Sequence, residues 1–365
     1  MVTIKDVARE ANMSVATVSR VLNGSGPASE ETGRLIREVA GRMRYVPHSG
    51  ARSLITSKTE TLGVLLPDLY GEFFSEIIRG MDSTAQRHGF HLLISRTYAD
   101  KHEIETAMRA MRGRVDGVVV LSPDLDADSL LNLPSTMPVV LLCSVAKGNE
   151  TDSLTIQNCR GAREMVTHLV DRGHQRIAII KGSPRNYDAT ERLRGYRAAL
   201  RDAGITPETS LEREGDFTEA AGYAAAIELL AMRKRPTAIF AANDAMAIGA
   251  LSALRESGVR VPEEMAVAGF DDIPLARYMD PPLSSVHVPI CELGERAVEM
   301  LLHGITHKND HPRRRERVST ELVIRRSTGG ESAERPPPNT LKGRLVPLES
   351  RRSANEFRVQ TQQEM

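Results

Sequence analysis

Cysteine is scarce in this chain, and none of the three, Cys143, Cys159 and Cys291, stands in a CxxC pair. That spacing excludes a disulfide framework and a zinc ribbon, and it suits a reducing compartment. Long hydrophobic runs are missing too; none approaches the roughly 20 residues that a bilayer crossing requires. The opening residues, Met1-Val-Thr-Ile-Lys-Asp6, carry charge and lack the apolar stretch of a signal peptide. A cytoplasmic protein without membrane contact is the expectation. An excess of one charge sign is also absent, since 48 Lys and Arg balance 48 Asp and Glu. A nucleic-acid coat protein would be strongly basic, so that class is excluded. There is no GxSxG, HExxH or phosphate-binding loop, and no nucleophile–base pair stands out. His168 and His174 lack metal-ligand spacing and suit helix-end or turn roles. Neither enzyme activity, nor a cofactor, nor a metal is expected.

What is present is enough apolar material, 41% of 365 residues, to build two or three packed domains. The neutral total also hides an asymmetry. Residues 1–60 hold nine Lys and Arg against six acidic residues, a balance of +3, and the remainder carries −3.

Residues 1–60 read as helices only. Ile4, Val7, Ala8 and Ala11 share one helical face. Ser14 can cap a second helix, Val15 to Asn23, which Asn23-Gly24 stops. Ser29 can cap a third, with Glu30 and Glu31 in its first turn and Ile36, Val39, Ala40 and Met43 as its buried stripe. Pro47 breaks the chain, and Ser49 to Thr56 suits one more short helix.

From residue 61 the pattern changes. Short apolar runs recur at Leu62–Leu66, Leu92–Ile94, Val115–Leu121, Val139–Leu142, Ile177–Ile180, Ala238–Ala241 and Met265–Phe270. Amphipathic stretches such as Phe73–Gly89 and Cys159–Gly173 separate most of them. Apolar strands alternating with helices predict parallel sheets covered on both faces. The fold class is therefore α/β, with an all-α headpiece before a two-lobed unit of parallel sheets. The predicted limits are a headpiece at 1–47, a hinge and linker at 48–60, and a two-lobed unit at 61–326. Lobe 1 is placed at about 61–158 plus 289–326, with a helix Leu293–Leu302 and a strand Val318–Ile324, and lobe 2 at about 160–288. Residues 327–365 lose the pattern and read as a disordered tail. No leucine heptad occurs there.

Two short helices joined by a tight turn fit a helix-turn-helix, whose second helix can enter the DNA major groove. Val18 and Leu22 are spaced to face the core, which turns Val15, Ala16, Thr17, Ser19 and Arg20 outward. Arg20 suits bidentate reading of guanine, and Val15 or Ala16 suits a thymine methyl. By spacing alone, a plain helical hairpin with a solvated face explains these residues equally well.

A second constellation lies just after the apolar runs: Asp68, Ser122, Asn243-Asp244 and Asp271-Asp272. In open parallel sheets ligands bind beyond the carboxyl ends of the strands. Carboxylates, amides and a guanidinium suit a polyhydroxyl ligand, and Phe73-Phe74 offers an apolar face for a sugar ring. Asp188 and Tyr187 stand near Arg192 in sequence. The competing local readings are that Asn243 and Asp271 cap helices and that Arg192 makes a surface ion pair.

The motifs Thr3-Ile-Lys-Asp-Val-Ala, Ser14-Val-Ala-Thr-Val-Ser-Arg-Val-Leu-Asn23 and Tyr45-Val-Pro-His resemble the lactose/galactose repressor family. So do Gly63-Val-Leu-Leu-Pro-Asp, Glu191-Arg-Leu-Arg-Gly-Tyr, Ala242-Asn-Asp-Ala-Met-Ala and Val267-Ala-Gly-Phe-Asp-Asp, and the likeness spans about residues 2–326. The resemblance implies a DNA-binding transcriptional regulator, most simply a repressor, with a periplasmic-binding-protein-like effector domain. It implies a homodimer on a pseudo-palindromic operator, with Thr3, Ser14, Val15, Ala16, Thr17, Ser19, Arg20 and Asn23 facing DNA. It further implies that Ala51 and Leu54 belong to a hinge helix whose leucine wedges into the minor groove. The Val15-Ala16 pair is that of galactose-repressor-like members, which implies operators with a central CG step. Effector contacts are implied for Arg192, Asn243 and Asp271, beside Asp68, Phe73, Phe74, Ser122 and Asp188.

Three positions depart from the family pattern. Gly71-Glu72 replaces an Asn-Pro, Cys143-Ser144 replaces an Asp-Arg or Asn-Arg pair, and Gln157-Asn158 replaces Asp-Asn. The effector therefore stays open between a sugar or sugar derivative, a non-sugar metabolite such as a nucleobase, and none at all.

Overall fold

The computed structural model describes residues 2–23, 28–45, 58–97, 101–123, 137–144, 151–307 and 314–330. Ala51, Leu54 and the short helix expected at Ser49 to Thr56 lie outside the described residues.

Among the described residues the headpiece is three helices: α1 (Ile4–Glu10), α2 (Val15–Asn23) and α3 (Glu30–Arg42). Side-chain oxygens start them. The Thr3 backbone and hydroxyl both donate to Asp6 Oδ2, at 2.9 and 2.7 Å. Ser14 Oγ accepts from the Thr17 amide at 3.1 Å, and Ser29 Oγ from the Thr32 amide at 3.2 Å. Such caps stabilise by about 1 kcal/mol each. Val7, Ala8, Ala11, Val18, Ile36, Val39 and Ala40 close one small core. Val18 is fully buried and Leu22 half-buried, as the spacing of α2 predicts.

The strands are β1 (Thr61–Leu66), β2 (His91–Arg96), β3 (Gly117–Leu121), β4 (Val139–Leu142), β5 (Asp152–Ile156) and β6 (Ile177–Lys181), then β7 (Glu212–Glu214), β8 (Ala238–Ala241), β9 (Ala266–Asp271), β10 (Ser284–His287), β11 (Arg315–Val318) and β12 (Glu321–Val323). They form two six-stranded sheets, ordered β11-β5-β4-β3-β1-β2 and β12-β10-β9-β8-β6-β7. The pairing is parallel throughout, except where β12 meets β10 antiparallel. The apolar runs of β1, β3, β4, β8 and β9 are almost wholly buried, as strands covered on both faces must be.

Seven described helices cover the sheets: α4 (Glu72–Arg87), α5 (Lys101–Met111), α6 (Asn158–Asp171), α7 (Tyr187–Asp202), α8 (Glu219–Leu230), α9 (Asp244–Glu256) and α10 (Ile290–Thr306). They pack as pairs, α4 with α10, α6 with α7 and α8 with α9, while α5 covers the other side of β1. Glycines let all three pairs touch backbone to backbone. A Cβ on Gly80 would collide with the Cys291 carbonyl, one on Gly195 with that of Cys159, and one on Gly249 with that of Glu219.

The chain changes sheet three times. It leaves β5 through Gln157 into α6, which packs on β10 and β12 of the other sheet. It returns from β10 through Val288-Pro289 into α10, which packs on β3 and β4. It crosses again at Ser319-Thr320, between β11 and β12. This third crossing corrects the sequence reading. The single strand expected at Val318–Ile324 is two short strands in different sheets, so residues 321–326 belong with the second lobe. Asn158, counted with the first lobe, already lies in α6. The ordered chain also runs past 326. Ser327 and Thr328 are buried, and Ser327 Oγ donates to the Val267 carbonyl at 2.6 Å and accepts from the Ser284 amide at 2.8 Å. Among the described residues no helix is long and apolar enough to cross a membrane.

Candidate functional site

On the headpiece, α2 presents Val15, Ala16 and Arg20 to solvent, with Val15 41% exposed. Thr17 and Ser19 are half-buried and partly engaged. The Thr17 hydroxyl lies 2.8 Å from that of Ser14, and Asn23 Nδ2 donates to Ser19 Oγ at 3.2 Å. Thr3, although exposed, is tied to Asp6. Arg20 Nε folds back onto the Ala16 carbonyl at 3.3 Å, and its two terminal nitrogens have no partner among the described residues. The face that can meet a base edge is thus Val15, Ala16 and the Arg20 fork, framed by Thr17 and Ser19.

In the two-lobed unit the strand ends turn sharply. Cys143, Asp271 and Asp272 have φ of 58°, 105° and 54°, a region costly for residues with a Cβ and typical of built sites. Arg192, on the second turn of α7, is the hub. Its Nε donates to Asn158 Oδ1 at 2.9 Å and its Nη1 to the Ala242 carbonyl at 2.5 Å. Its Nη2 lies 3.1 Å from Asp271 Oδ1, and its guanidinium stacks 3.8 Å from the centre of the Phe270 ring. Asn158 Nδ2 donates onward to Asp188 Oδ1 at 2.7 Å. Asp188, Asn158, Arg192 and Asp271 therefore form one buried chain of polar groups, none more than 7% exposed. Asn186 starts α7 by accepting from the Ala189 amide at 3.0 Å, which fixes where Asp188 and Arg192 project.

Burial pushes the Asp271 carboxyl up to about 6, against the opposing pull of Arg192. Burial, and then the Asp188 charge, push the Cys143 thiol well up, so it stays protonated beside that carboxylate. Cys143 thereby brings the first lobe against the polar chain of the second. Burial also raises Asp244, whose carboxylate is spent on the Ser285 hydroxyl at 2.6 Å and the Ile273 amide at 2.9 Å. Those bonds anchor the loop after Asp271.

The remaining expected residues divide. Asn243 caps α9 through the Met246 amide at 3.0 Å and donates to the Phe217 carbonyl at 3.0 Å, so both ends of its amide are engaged within the lobe. Asp68 holds its own turn through the Leu69 and Tyr70 amides at 2.7 and 3.3 Å. Phe73 and Phe74 are half-buried and meet edge to face at 5.6 Å. Ser122 is buried at the end of β3, and its hydroxyl has no partner among the described residues. The same is true of the hydroxyl of Thr97, and Asp271 Oδ1 faces Arg192 without hydrogen-bond alignment. No hydrogen bond or ring contact joins Asp68, Phe73, Phe74 or Ser122 to the Arg192 chain among the described residues. Asn158 and Cys143 entered the sequence reading only as departures from a family pattern. Thr97 and Phe270 were missed, and their position at the end of an apolar run is the signal that marks them.

Among the described residues, the lobes meet across the cleft where Glu72 Oε2 accepts from the Leu275 amide at 2.9 Å, where the Tyr187 amide donates to the Pro123 carbonyl at 2.9 Å, and where the Cys143 thiol lies against the Asp188 carboxylate. An open groove of about 970 Å³ lies elsewhere, along α6, and shares only Asn158 with the chain above. Its cations are mostly paired, Arg160 with Glu164, Arg163 with Asp202 and Arg194 with Glu191, as on a solvated helix face. His168 meets the Thr328 hydroxyl at 3.1 Å, and His174 meets that of Thr237 at 3.0 Å. No group of three or more His, Cys, Asp or Glu that could hold a metal occurs among the described residues.

Comparison with known proteins gives a consistent answer. Residues 3–48 match the model for bacterial regulatory proteins of the lacI family, and residues 166–328 that for a periplasmic binding protein-like domain. The HTH-type transcriptional repressor PurR of Photobacterium profundum is 36% identical over 330 residues, 90% of this chain and 98% of that protein. A lac repressor dimer bound to operator and the anti-inducer ONPF superposes with a TM-score of 0.81 at 29% identity, covering 90% of this chain and 99% of that one. A transcriptional regulator CelR–cellobiose complex superposes at 0.68 with 32% identity, covering 90% of this chain and all, 100%, of that one.

Proposed function

The chain belongs to the LacI family of bacterial regulatory proteins and is a DNA-binding transcriptional repressor, and from that premise we propose how it reads DNA and what controls it. It acts in the cytoplasm as a homodimer, and each copy sets one α2 in the major groove of a pseudo-palindromic operator with a central CG step. Arg20 reads a guanine, Val15 and Ala16 meet a thymine methyl, and Thr3, Ser14, Thr17, Ser19 and Asn23 position the helix. Ala51 and Leu54 form the hinge, with Leu54 wedged into the minor groove. The headpiece ends near 47, the hinge near 60, and the two-lobed unit extends past 326. Leu93 and Ile94 in the first lobe and Tyr278 in the second are exposed large apolar side chains that suit burial against a second copy.

Operator affinity is controlled by a small molecule bound between the lobes, a sugar or sugar derivative. The supporting observation is the buried chain Asp188–Asn158–Arg192–Asp271 at the strand ends, together with the Ser122 hydroxyl, which has no hydrogen-bond partner among the described residues. Buried polar atoms without partners are costly, and a polyhydroxyl ligand satisfies them. A second reading, a non-sugar metabolite such as a nucleobase, draws on Glu72 and Cys143, which stand where family members that take sugars carry Asn-Pro and Asp-Arg or Asn-Arg. A thermal-shift screen of sugars, sugar phosphates and nucleobases on the full chain decides between them. A shift with one class, lost in Asp271→Ala, places the ligand. No shift with any class indicates an effector-independent regulator.

A further inference from the structure

The groups that hold the lobes together differ in kind from the polar chain inside the second lobe. Glu72 is the first residue of α4, at the rim of the first lobe, and its carboxylate reaches Leu275 on the second lobe, 203 residues along the chain. Leu275 lies in the 3-10 turn Pro274–Tyr278, directly after the Asp271-Asp272 turn. The turn is itself rigid, because Asp244 holds the Ile273 amide and Ser285 Oγ accepts from that of Asp272. A pull on Leu275 is therefore a pull on the strand end that carries Asp271. Across the cleft, the Tyr187–Pro123 bond joins the start of α7 to the end of β3, one residue from Asp188 on one side and from Ser122 on the other. Glu72 bridges the lobes at the rim with a charged side chain, at a position where the family resemblance leads one to expect Asn-Pro.

We propose that Glu72 is a latch that holds the two lobes closed in the ligand-free protein, so that closure in this chain is set partly by its own side chain and not by effector alone. Its regulatory meaning rests on the reading of the cleft as an effector site; the latch itself is a property of the free protein. The Glu72 carboxylate carries two separable roles. It favours the α4 N-terminus through the helix dipole, and it accepts the Leu275 amide across the cleft. Glu72→Asp keeps the first role and shortens the reach by one methylene. Glu72→Gln keeps an acceptor oxygen at full reach without the charge.

Hydrogen exchange of the full-length, ligand-free protein, read by mass spectrometry on peptides containing Leu275 and Tyr187, tests the latch. One charge-assisted bond at a wet rim is worth about a fivefold change in population. Glu72→Ala and Glu72→Asp are expected to speed exchange about fivefold at both Leu275 and Tyr187, with Glu72→Gln in between. Tyr187 shares no hydrogen bond with Glu72 or Leu275 among the described residues, so faster exchange there reports opening of the whole cleft. Acceleration confined to the Leu275 peptide, or equal to wild type in both, overturns the proposal. No effector or operator enters this measurement, so a blank ligand screen and a failed latch are separate results.

Discussion

Arg192 is the most informative side chain to remove, because its loss has a pH signature. Arg192→Met keeps an apolar body against Phe270 and deletes the contacts to Asn158, the Ala242 carbonyl and Asp271. In the native protein burial raises the Asp271 carboxyl from 3.8 to about 6. A raised acid binds protons more readily folded than unfolded. Its contribution is therefore neutral below about pH 4, falls as pH rises to about 6, and is level beyond, with a total of about 3 kcal/mol at most. Arg192 is the charge that limits this fall. Without it the folded carboxyl rises further, and stability keeps falling above pH 6. At pH 5 Asp271 is largely protonated in both proteins, and the variant loses only hydrogen bonds, about 1–2 kcal/mol. At pH 8 it also leaves a buried carboxylate without its cation, and the cost grows to about 3–5 kcal/mol. The chain has no tryptophan, so thermal unfolding is followed by far-ultraviolet circular dichroism. At roughly 2–4 °C per kcal/mol for a unit of this size, the Tm deficit is a few degrees at pH 5 and about 6–20 °C at pH 8. Equal deficits at the two pH values would refute the reasoning, because Arg192 would then be a packing residue and not the counter-charge of Asp271.

Other outcomes follow from single contacts. Ser14→Ala removes the cap of α2, costs about 1 kcal/mol of headpiece stability, and weakens operator binding in a gel shift with lobe unfolding unchanged. Arg20→Ala costs about 1–3 kcal/mol of operator binding and relaxes preference at one base pair; uniform weakening across an operator panel would make Arg20 a phosphate contact instead. Ser327→Ala removes the partner of the Val267 carbonyl and the Ser284 amide in the core, for a loss of about 2–4 kcal/mol; an unchanged Tm would restore the limit of the two-lobed unit at 326. Gly249→Ala drives a methyl into the Glu219 carbonyl and separates α8 from α9, lowering stability by about 1–3 kcal/mol or more in the same melt.

The residues that were legible in sequence, and those that were not, separate on physical grounds. β4 and β8 coincide with their apolar runs because strands buried on both faces leave no room for polar residues. β10 and β5 escaped because Ser284, Ser285, Asp152 and Ser153 are buried yet polar. Their hydroxyls and carboxylates are satisfied by partners far along the chain, such as Ser285 by Asp244 and Asp152 by the Arg314 amide. The residues of β11 and β12 read as one strand because nothing local in Arg315 to Ile324 marks a change of sheet. In the site, Asp271 was visible as a charge at the end of an apolar run, Arg192 through the family resemblance, and Asp188 as its neighbour in sequence. Asn158 was not, because its role depends on Arg192 34 residues away. Asn243 shows the converse: an amide after a strand looks the same as a ligand contact and as a helix cap, and here it is engaged as the cap.

The distribution of satisfied and unsatisfied groups bears on how strongly a ligand can act. The hydrogen bonds of the Arg192 chain, to Asn158, the Ala242 carbonyl and Asp188, all lie within the second lobe, so those bonds do not by themselves bias closure. A ligand shifts the equilibrium only through groups it reaches in one state and not the other. On the proposed reading of the cleft, Ser122 Oγ in the first lobe, without a hydrogen-bond partner among the described residues, is such a group for a ligand anchored on the second lobe. Satisfying it is worth about 1–3 kcal/mol, against the roughly 5.5 kcal/mol needed to turn a 1:99 equilibrium into 99:1. The inter-lobe bonds from Glu72 to Leu275 and from Tyr187 to Pro123 act in the same direction, each by a similar small amount, so on the proposed reading a ligand needs only a few contacts with the first lobe to add to them.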